Sequence, residues 1–310
     1  MENLNPRTVN ELFIQKLSDE HEKTALEAST SAFIRTKLRE VGFARKVINP
    51  LYVTKADLQR SLNHDQLVKI VDIEPDSAAM EINLRGNPDV RYVEGKRFEV
   101  SFGLVSSEEF QKTEEELLAY EMPVTEIIER NSIKDIQKIE DQIFMKAVNA
   151  AITSSGKSTT HTASASGVLD LTAFVKLINK LEEADVASAA NPLKCDLILM
   201  NQADFNRFAV LPATTIGSNV AGEQYINGFK YDTVLGRKLI VTNKGETGYV
   251  PAGTIYAFAA QEFLGKFFVL EDTKFWVKKK RNLIKWTAYE MIGMGIGNVK
   301  ACAKITISGM

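Results

Sequence analysis

The 310 residues are 45% apolar and 25% charged, the proportions of an ordinary globular chain, which excludes disordered and fibrous classes. A formal net charge of −2 excludes a global field for nucleic acid, so any DNA contact must be local. The length points to about two domains, and the two distant cysteines, Cys195 and Cys302, give neither a disulfide framework nor zinc spacing, as in a reducing compartment.

In chain order, Met1–Pro6 has no basic start and no apolar core, so no signal peptide is expected, and no apolar run approaches bilayer length. Residues 7–40 are charged and helix-permissive, with Leu12, Phe13, Leu17, Leu26, Phe33, Ile34 and Leu38 at rough helical spacing. Gly42 and Asn49-Pro50 break that pattern. Strand texture follows: Leu67–Ile73, an extended piece at Ala79–Leu84, and Arg97–Phe102. In the last, Phe98, Val100 and Phe102 alternate with Arg97, Glu99 and Ser101, the period of a half-buried strand. Together these predict a long hairpin over 67–103 with little core of its own.

An acidic segment holding Glu108, Glu109, Glu114, Glu115, Glu116 and Glu121 precedes the strongest helix signal, Pro123 to Ile152, about 45 Å long at 1.5 Å per residue. Its expected core face is Ile136, Ile139, Ile143, Ala147 and Ala150, flanked by Phe144, Val148 and Ala151, with Lys134, Gln137, Lys138 and Asp141 opposite. Residues 153–168 read as a Ser/Thr/Gly linker. Asp170 then caps a helix facing inward through Phe174, Leu177, Ile178 and Leu181. Cys195–Met200 reads as a strand, Gln202–Val210 as a short helix and 213–234 as a loop. Further strands are expected at Arg237–Thr242, Thr254–Phe258, Phe267–Val269, Phe275–Val277, Leu283–Met291 and Lys300–Ser308.

Candidate chemistry is sparse. Gly156-Lys157-Ser158 lacks the upstream glycine of a phosphate loop, since position 151 is alanine, and it leaves a helix instead of joining strand to helix. His21, His64 and His161 are scattered in polar settings, and no Gly-x-Ser-x-Gly elbow exists. Gly293-Met294-Gly295-Ile296-Gly297 has the wrong spacing for a dinucleotide fingerprint and reads as a flexible turn between strands. The run Lys274, Lys278, Lys279, Lys280, Arg281 and Lys285, with Phe275, Trp276 and Trp286, reads as a solvated or subunit-contact face, with a nucleic-acid patch as the rival. No cofactor, metal or catalytic residue is expected.

The order of elements resembles the Hong Kong 97-type major capsid proteins of tailed bacteriophages over residues 40–310. Ile139-Glu140-Asp141-Gln142-Ile143-Phe144 is similar to that family's Glu-Asp-x-x-Phe/Leu stretch late in its spine helix. Leu197–Phe205 is similar to its apolar strand and the Asn-x-x-Asp that follows. Leu235–Thr242 resembles its Leu-x-Gly-x-Pro-Val-Val turn and strand, with Lys238 in place of the proline, and Pro251-Ala252-Gly253-Thr254 resembles its Pro-x-Gly-Thr strand start. Ser154-Ser155-Gly156 stands where Gly-x-Gly often follows the spine helix. Lys96 lies in the hairpin, but Trp286 falls where the family's cross-linking asparagine would be, so cross-linking is not carried over.

The resemblance implies an α+β capsid fold. It divides into an N-terminal arm (1–66), an extended hairpin or E-loop (67–103), a peripheral (P) domain (104–167 and 263–297) with the spine helix at 123–152, and an axial (A) domain (168–262 and 298–310). It also implies a shell protein of pentamers and hexamers around double-stranded DNA, made in a bacterial cytoplasm and kept in the virion. Scaffolding, portal and decoration proteins are the implied partners, with non-specific DNA contact and no membrane. The scaffold would be a separate protein, or the chain a processed form. An encapsulin-type nanocompartment shell is the alternative. Expected subunit contacts are the hairpin face Phe98, Val100 and Phe102, and Glu114, Glu115 and Glu116 facing Lys278, Lys279 and Lys280 across subunits.

Overall fold

The computed structural model describes residues 42–61, 64–74, 81–82, 90, 92, 95–119, 124–154, 162–166, 169, 171–182, 193–209, 233–243 and 249–308. Residues 1–41, Gly156-Lys157-Ser158, Asp170, His21, His161 and most of the expected loop at 213–234 lie outside these. So does most of the expected Ala79–Leu84 strand, and its described members Glu81 and Ile82 are not in a strand.

The described chain opens on a helical turn, α1 (Ala44–Val47), followed by β1 (Pro50–Tyr52), β2 (Gln59–Arg60) and β3 (Leu67–Ile73). Phe43, Ala44, Val47 and Ile48 are buried, and β1 pairs in parallel with a later strand at Phe267–Val269. From Gly42 onward, then, the stretch expected to be an arm is anchored in the body.

The chain continues through β4 (Lys96–Ser106), β5 (Phe110–Thr113) and α2 (Glu114–Ala119). Thr113 and Glu116 start α2 with a reciprocal cap, each side chain bonding the other's backbone N–H at 3.2 Å. Part of the acidic run is therefore a helix first turn, where negative charge suits the helix dipole.

The spine helix, α3, runs from Val124 to Ser154, 31 residues, close to the expected span. Its inward face differs from the one predicted. Ile133, Ile136, Gln137, Glu140, Asp141, Phe144, Met145, Val148 and Ile152 are buried, while Ile139 is 38% exposed. The helix is turned by about one residue, roughly 100°. The cause is ionic: Glu140 and Asp141 find partners in the interior, so apolar periodicity misplaces the face.

After α3 come β6 (Thr162–Ser166), α4 (Leu171–Glu182), β7 (Cys195–Asn201), α5 (Gln202–Ala209), β8 (Thr233–Val234), β9 (Arg237–Thr242), β10 (Thr254–Ala259) and α6 (Gln261–Leu264). Three strands close the chain: β11 (Gly265–Lys280), β12 (Leu283–Ile296) and β13 (Cys302–Ser308). The expected pieces Phe267–Val269 and Phe275–Val277 are one strand, with register shifts between Val269 and Lys274. Gly293–Ile296 is not a turn but the end of β12, paired with β11 on one side and, at Gly293, with β4 on the other.

These strands form two sheets. The first has the order β1-β11-β12-β4-β3-β2, with β5 also on β12. The second has the order β6-β13-β10-β7-β9-β8. The domain division expected from sequence puts 162–166 with the first unit, yet β6 pairs with β13 in the second sheet. The spine helix packs on β12 and reaches β13, and Phe144 meets Phe43 and Phe258 at ring distances of 6.3 and 5.7 Å. One continuous apolar core thus joins both sheets.

Candidate subunit-contact site

The hairpin face singled out in the sequence has its partner inside the chain. Val100 is buried, Phe98 and Phe102 are half-buried, and all three lie over the glycine-rich end of β12. A Cβ on Gly297 would sit 2.8 Å from the Phe98 ring. One on Gly293 would sit 3.0 Å from the Ser101 carbonyl and 3.2 Å from Val100. Phe102 also faces Phe268, with centroids 6.4 Å apart. The glycines of 293–297 are there for close approach between strands. Within the single chain Val100 is therefore covered, while Phe98 and Phe102 keep part of their surface open.

The charged segments meet within the chain as well. Lys279 pairs with Glu114 at 2.6 Å, and Lys285 pairs with Glu109. Position follows from register: β5 pairs with the start of β12 and delivers α2 beside the β11–β12 turn, where the Glu114 N–H donates to the Asn282 carbonyl at 2.9 Å. Lys279 and Glu114 were expected to meet across subunits and instead meet in one. The alternating register of β11 turns Lys274, Trp276 and Lys278 outward, and Lys280 and Glu115 are exposed too. Trp276 is 57% exposed. Trp286, by contrast, is fully buried.

Ile139 and Ile143 of the spine helix, with Leu104, Ser101, Ser106, Ile292 and Met294 of the first sheet, line a concavity of about 440 Å³. Leu104 is 61% exposed. Val90 and Tyr92, between β3 and β4 in the chain, are almost fully exposed. Large apolar side chains left in water at several places on one sheet mark association surfaces.

A buried ionic cluster was not legible in the sequence. Arg45 on α1 binds Glu140 of the spine helix through Nε (3.0 and 3.1 Å) and Nη2 (2.5 Å), and reaches Glu290 of β12 at 3.3 Å. All three side chains are essentially sealed from solvent. Thr273 donates to Glu290 Oε2 at 2.9 Å, and the Phe267 ring lies 5.6 Å from the guanidinium. Asp141 Oδ1 accepts the Ala44 N–H at 2.9 Å. Burial alone would weaken the Arg45 charge, but the Glu140 bond and field outweigh it and raise its pKa. Burial, then the nearby Glu140, pushes Glu290 well above the usual carboxyl range, against the lesser pull of Arg45 and Thr273.

The sequence patches at 201–204 and 251–254 clasp one another. Asn201 Nδ2 donates to the Val250 carbonyl at 2.8 Å, and both Asp204 oxygens accept the Gly253 N–H at 2.8 and 3.0 Å. Gly253 has φ +80°, which favours glycine. Cys195 and Cys302 are buried and unbridged, with thiol pKa values pushed up by burial to about 11 and about 12. Among the described residues no group of His, Cys, Asp and Glu is arranged to hold a metal. No described helix is long and apolar enough to cross a membrane.

The sequence matches no protein-family model and no curated protein. The fold does match solved structures. The mature capsid of bacteriophage PhiM1 aligns over 87% of this chain and 88% of its own, with TM-score 0.59 at 8% identity. A structure from Microbacterium phage Oxtober96 covers 86% of this chain and 91% of its own, with TM-score 0.60 at 10% identity. One from Mycobacterium phage Adephagia covers 87% and 91%, with TM-score 0.54 at 14% identity. The mixed α+β architecture is of the Hong Kong 97 type.

Proposed function

We propose that this chain is a major capsid protein, a structural subunit that self-assembles into pentamers and hexamers of an icosahedral phage head enclosing double-stranded DNA. The observation that carries the reading is the fold likeness to the mature capsid of bacteriophage PhiM1, which extends over 87% of this chain, with two further phage structures alike over 86–87% of it. Its site would be the virion shell, its role structural and not catalytic. Scaffolding, portal and decoration proteins are its natural partners, and DNA would be held by non-specific contact. In this reading the P domain is built on the first sheet and the A domain on the second, with the strand at 162–166 counted to the A domain.

Subunit contacts fall, in this reading, on the outward face of β11 (Lys274, Trp276, Lys278, Lys280), on Glu115 and Glu116 of α2, and on the concavity beside Leu104. Exposed Trp among cations is the composition of an interface anchor, and the charges around it set register and encounter rate. Electron microscopy of the purified full chain tests the proposal: closed shells of uniform size are expected, and particles from the native source should hold DNA. A monodisperse monomer at every concentration in light scattering would overturn it, and protein cargo in place of DNA would point to a nanocompartment.

A further inference from the structure

We infer that Arg45, Glu140 and Glu290 form a proton-loaded clamp, which ties the helical turn following residues 1–41 to the spine helix and to β12 and loosens when its one proton leaves. Charge is the starting point. One guanidinium and two carboxylates sit together out of water. An ion there is tolerated only when paired. Among the described residues the other ionisable groups facing the cluster add no cation. From the spine helix comes Asp141, from β11 Asp272, and from α1 nothing but Arg45, because Lys46 points to solvent. On β4, the residue opposite Glu290 is Val105. Within the trio of Arg45, Glu140 and Glu290, the arrangement without net charge is one guanidinium, one carboxylate and one protonated carboxyl, and the nearby Asp141 and Asp272 add only to the case against a second ionised glutamate.

Geometry says which acid keeps the proton. Glu140 receives three short contacts from the guanidinium, whereas Glu290 receives one at 3.3 Å. Glu140 is therefore the ionised partner. Glu290 Oε2 is served by the Thr273 hydroxyl, while its Oε1 finds no donor among the described residues. An ionised oxygen left so would be costly, but a protonated one needs no donor. With that proton Glu290 donates towards Glu140, and the three elements close round a neutral core. Without it, two carboxylates repel across one guanidinium, and α1 is the smallest element to let go.

Linkage fixes the sign. In the closed clamp Glu290 holds its proton to a pH well above the ordinary 4.5, whereas in the opened state it ionises near 4.5. The stabilisation its proton lends is complete below 4.5, is lost as pH rises, and is gone once the closed-state value is passed. Across that window opening becomes about tenfold easier per pH unit, the slope of one proton.

Hydrogen exchange of the full chain, with rates normalised to those of an unstructured peptide at each pH, reads this directly. Between about pH 5 and the closed-state value, protection of the Val47 and Ile48 amides should fall about tenfold per unit, while β10 stays level. Glu290→Gln, neutral at every pH, should abolish the slope. So should Glu140→Gln, which hands Arg45 to an ionised Glu290 and serves if the first variant does not accumulate. The infrared band of a protonated carboxyl should persist at pH values above the ordinary 4.5 and be lost with its own pH midpoint. A flat wild-type profile, a slope that survives both substitutions, or a carboxyl band lost by about pH 5 would each overturn the clamp.

Discussion

In the second sheet every residue of β10 is buried, and so is all of β7 except Asp196. In the first, burial along β11 alternates from Thr273 onward, and each outward side chain from Lys274 to Lys280 meets at least some solvent. Two strand signatures result. A strand covered on both faces reads as an unbroken apolar run, as Leu197–Met200 does, and a strand with one wet face alternates. The second sheet, with α4 and the spine helix against it, has what it needs within one chain. The first keeps a long face for something else. If the proposed function holds, stability and association fall on different sheets, and substitutions should separate them.

The largest expected effect lies in the second sheet. Phe258 is fully buried against Phe144 and Tyr256. Phe258→Ala should cost about 3–5 kcal/mol in chemical denaturation of the subunit. A loss below about 1 kcal/mol, inside the range of a surface change, would mean this sheet is not the self-sufficient one. Next comes the clasp. Asp204→Ala leaves the buried Gly253 N–H without its acceptor and should cost about 1–3 kcal/mol by the same measurement.

Two glycines of the first sheet sharpen the contrast at a smaller scale. A Cβ on Gly265 would lie 2.3 Å from the Gly295 carbonyl oxygen, whereas one on Gly103 meets nothing within 4 Å. Gly265→Ala should cost about 1–3 kcal/mol through forced separation of β11 and β12, and Gly103→Ala should stay within about 0.5 kcal/mol. Equal effects would show that the β11–β12 pairing yields easily. The smallest change in subunit stability is expected at Trp276, whose replacement by alanine should also stay within about 0.5 kcal/mol. Shell formation by the same variant, followed by light scattering, should fall sharply. Normal assembly would remove Trp276 from the interface.

The sequence carried the regular parts well, because burial on one face leaves a period. Leu67–Ile73, Arg237–Thr242 and the helix face of Phe174, Leu177, Ile178 and Leu181 are in the structure as read. Failures came where polar groups go inward. Buried Asp272 and Thr273 split β11 into two apparent strands, and buried Glu140 and Asp141 turned the spine helix away from its apolar periodicity. Glycines at 293–297 looked like a turn because a strand made for close approach and a flexible link use the same residue. The ionic cluster joins residues 95 and 245 positions apart, a distance across which no local pattern reaches. Of the expected contact residues, Glu115, Glu116, Lys278 and Lys280 remain on the surface. Val100 went into the core, and Lys279 and Glu114 paired with each other.

The spine helix and the β11–β12 ribbon are beams of similar length, about 46 Å for 31 helical residues and about 53 Å for 16 strand residues. Two beams laid together and held by greasy contact alone can slide, because apolar attraction has no direction. Pinning them near mid-length changes their mechanics. Arg45 reaches Glu140 on one beam and Glu290 on the other, and so acts as a shear key that fixes the offset between them. A keyed pair bends as one thick member, far stiffer than two loose ones. Under internal load the subunit would then flex at its loops, and its long elements would hold their line.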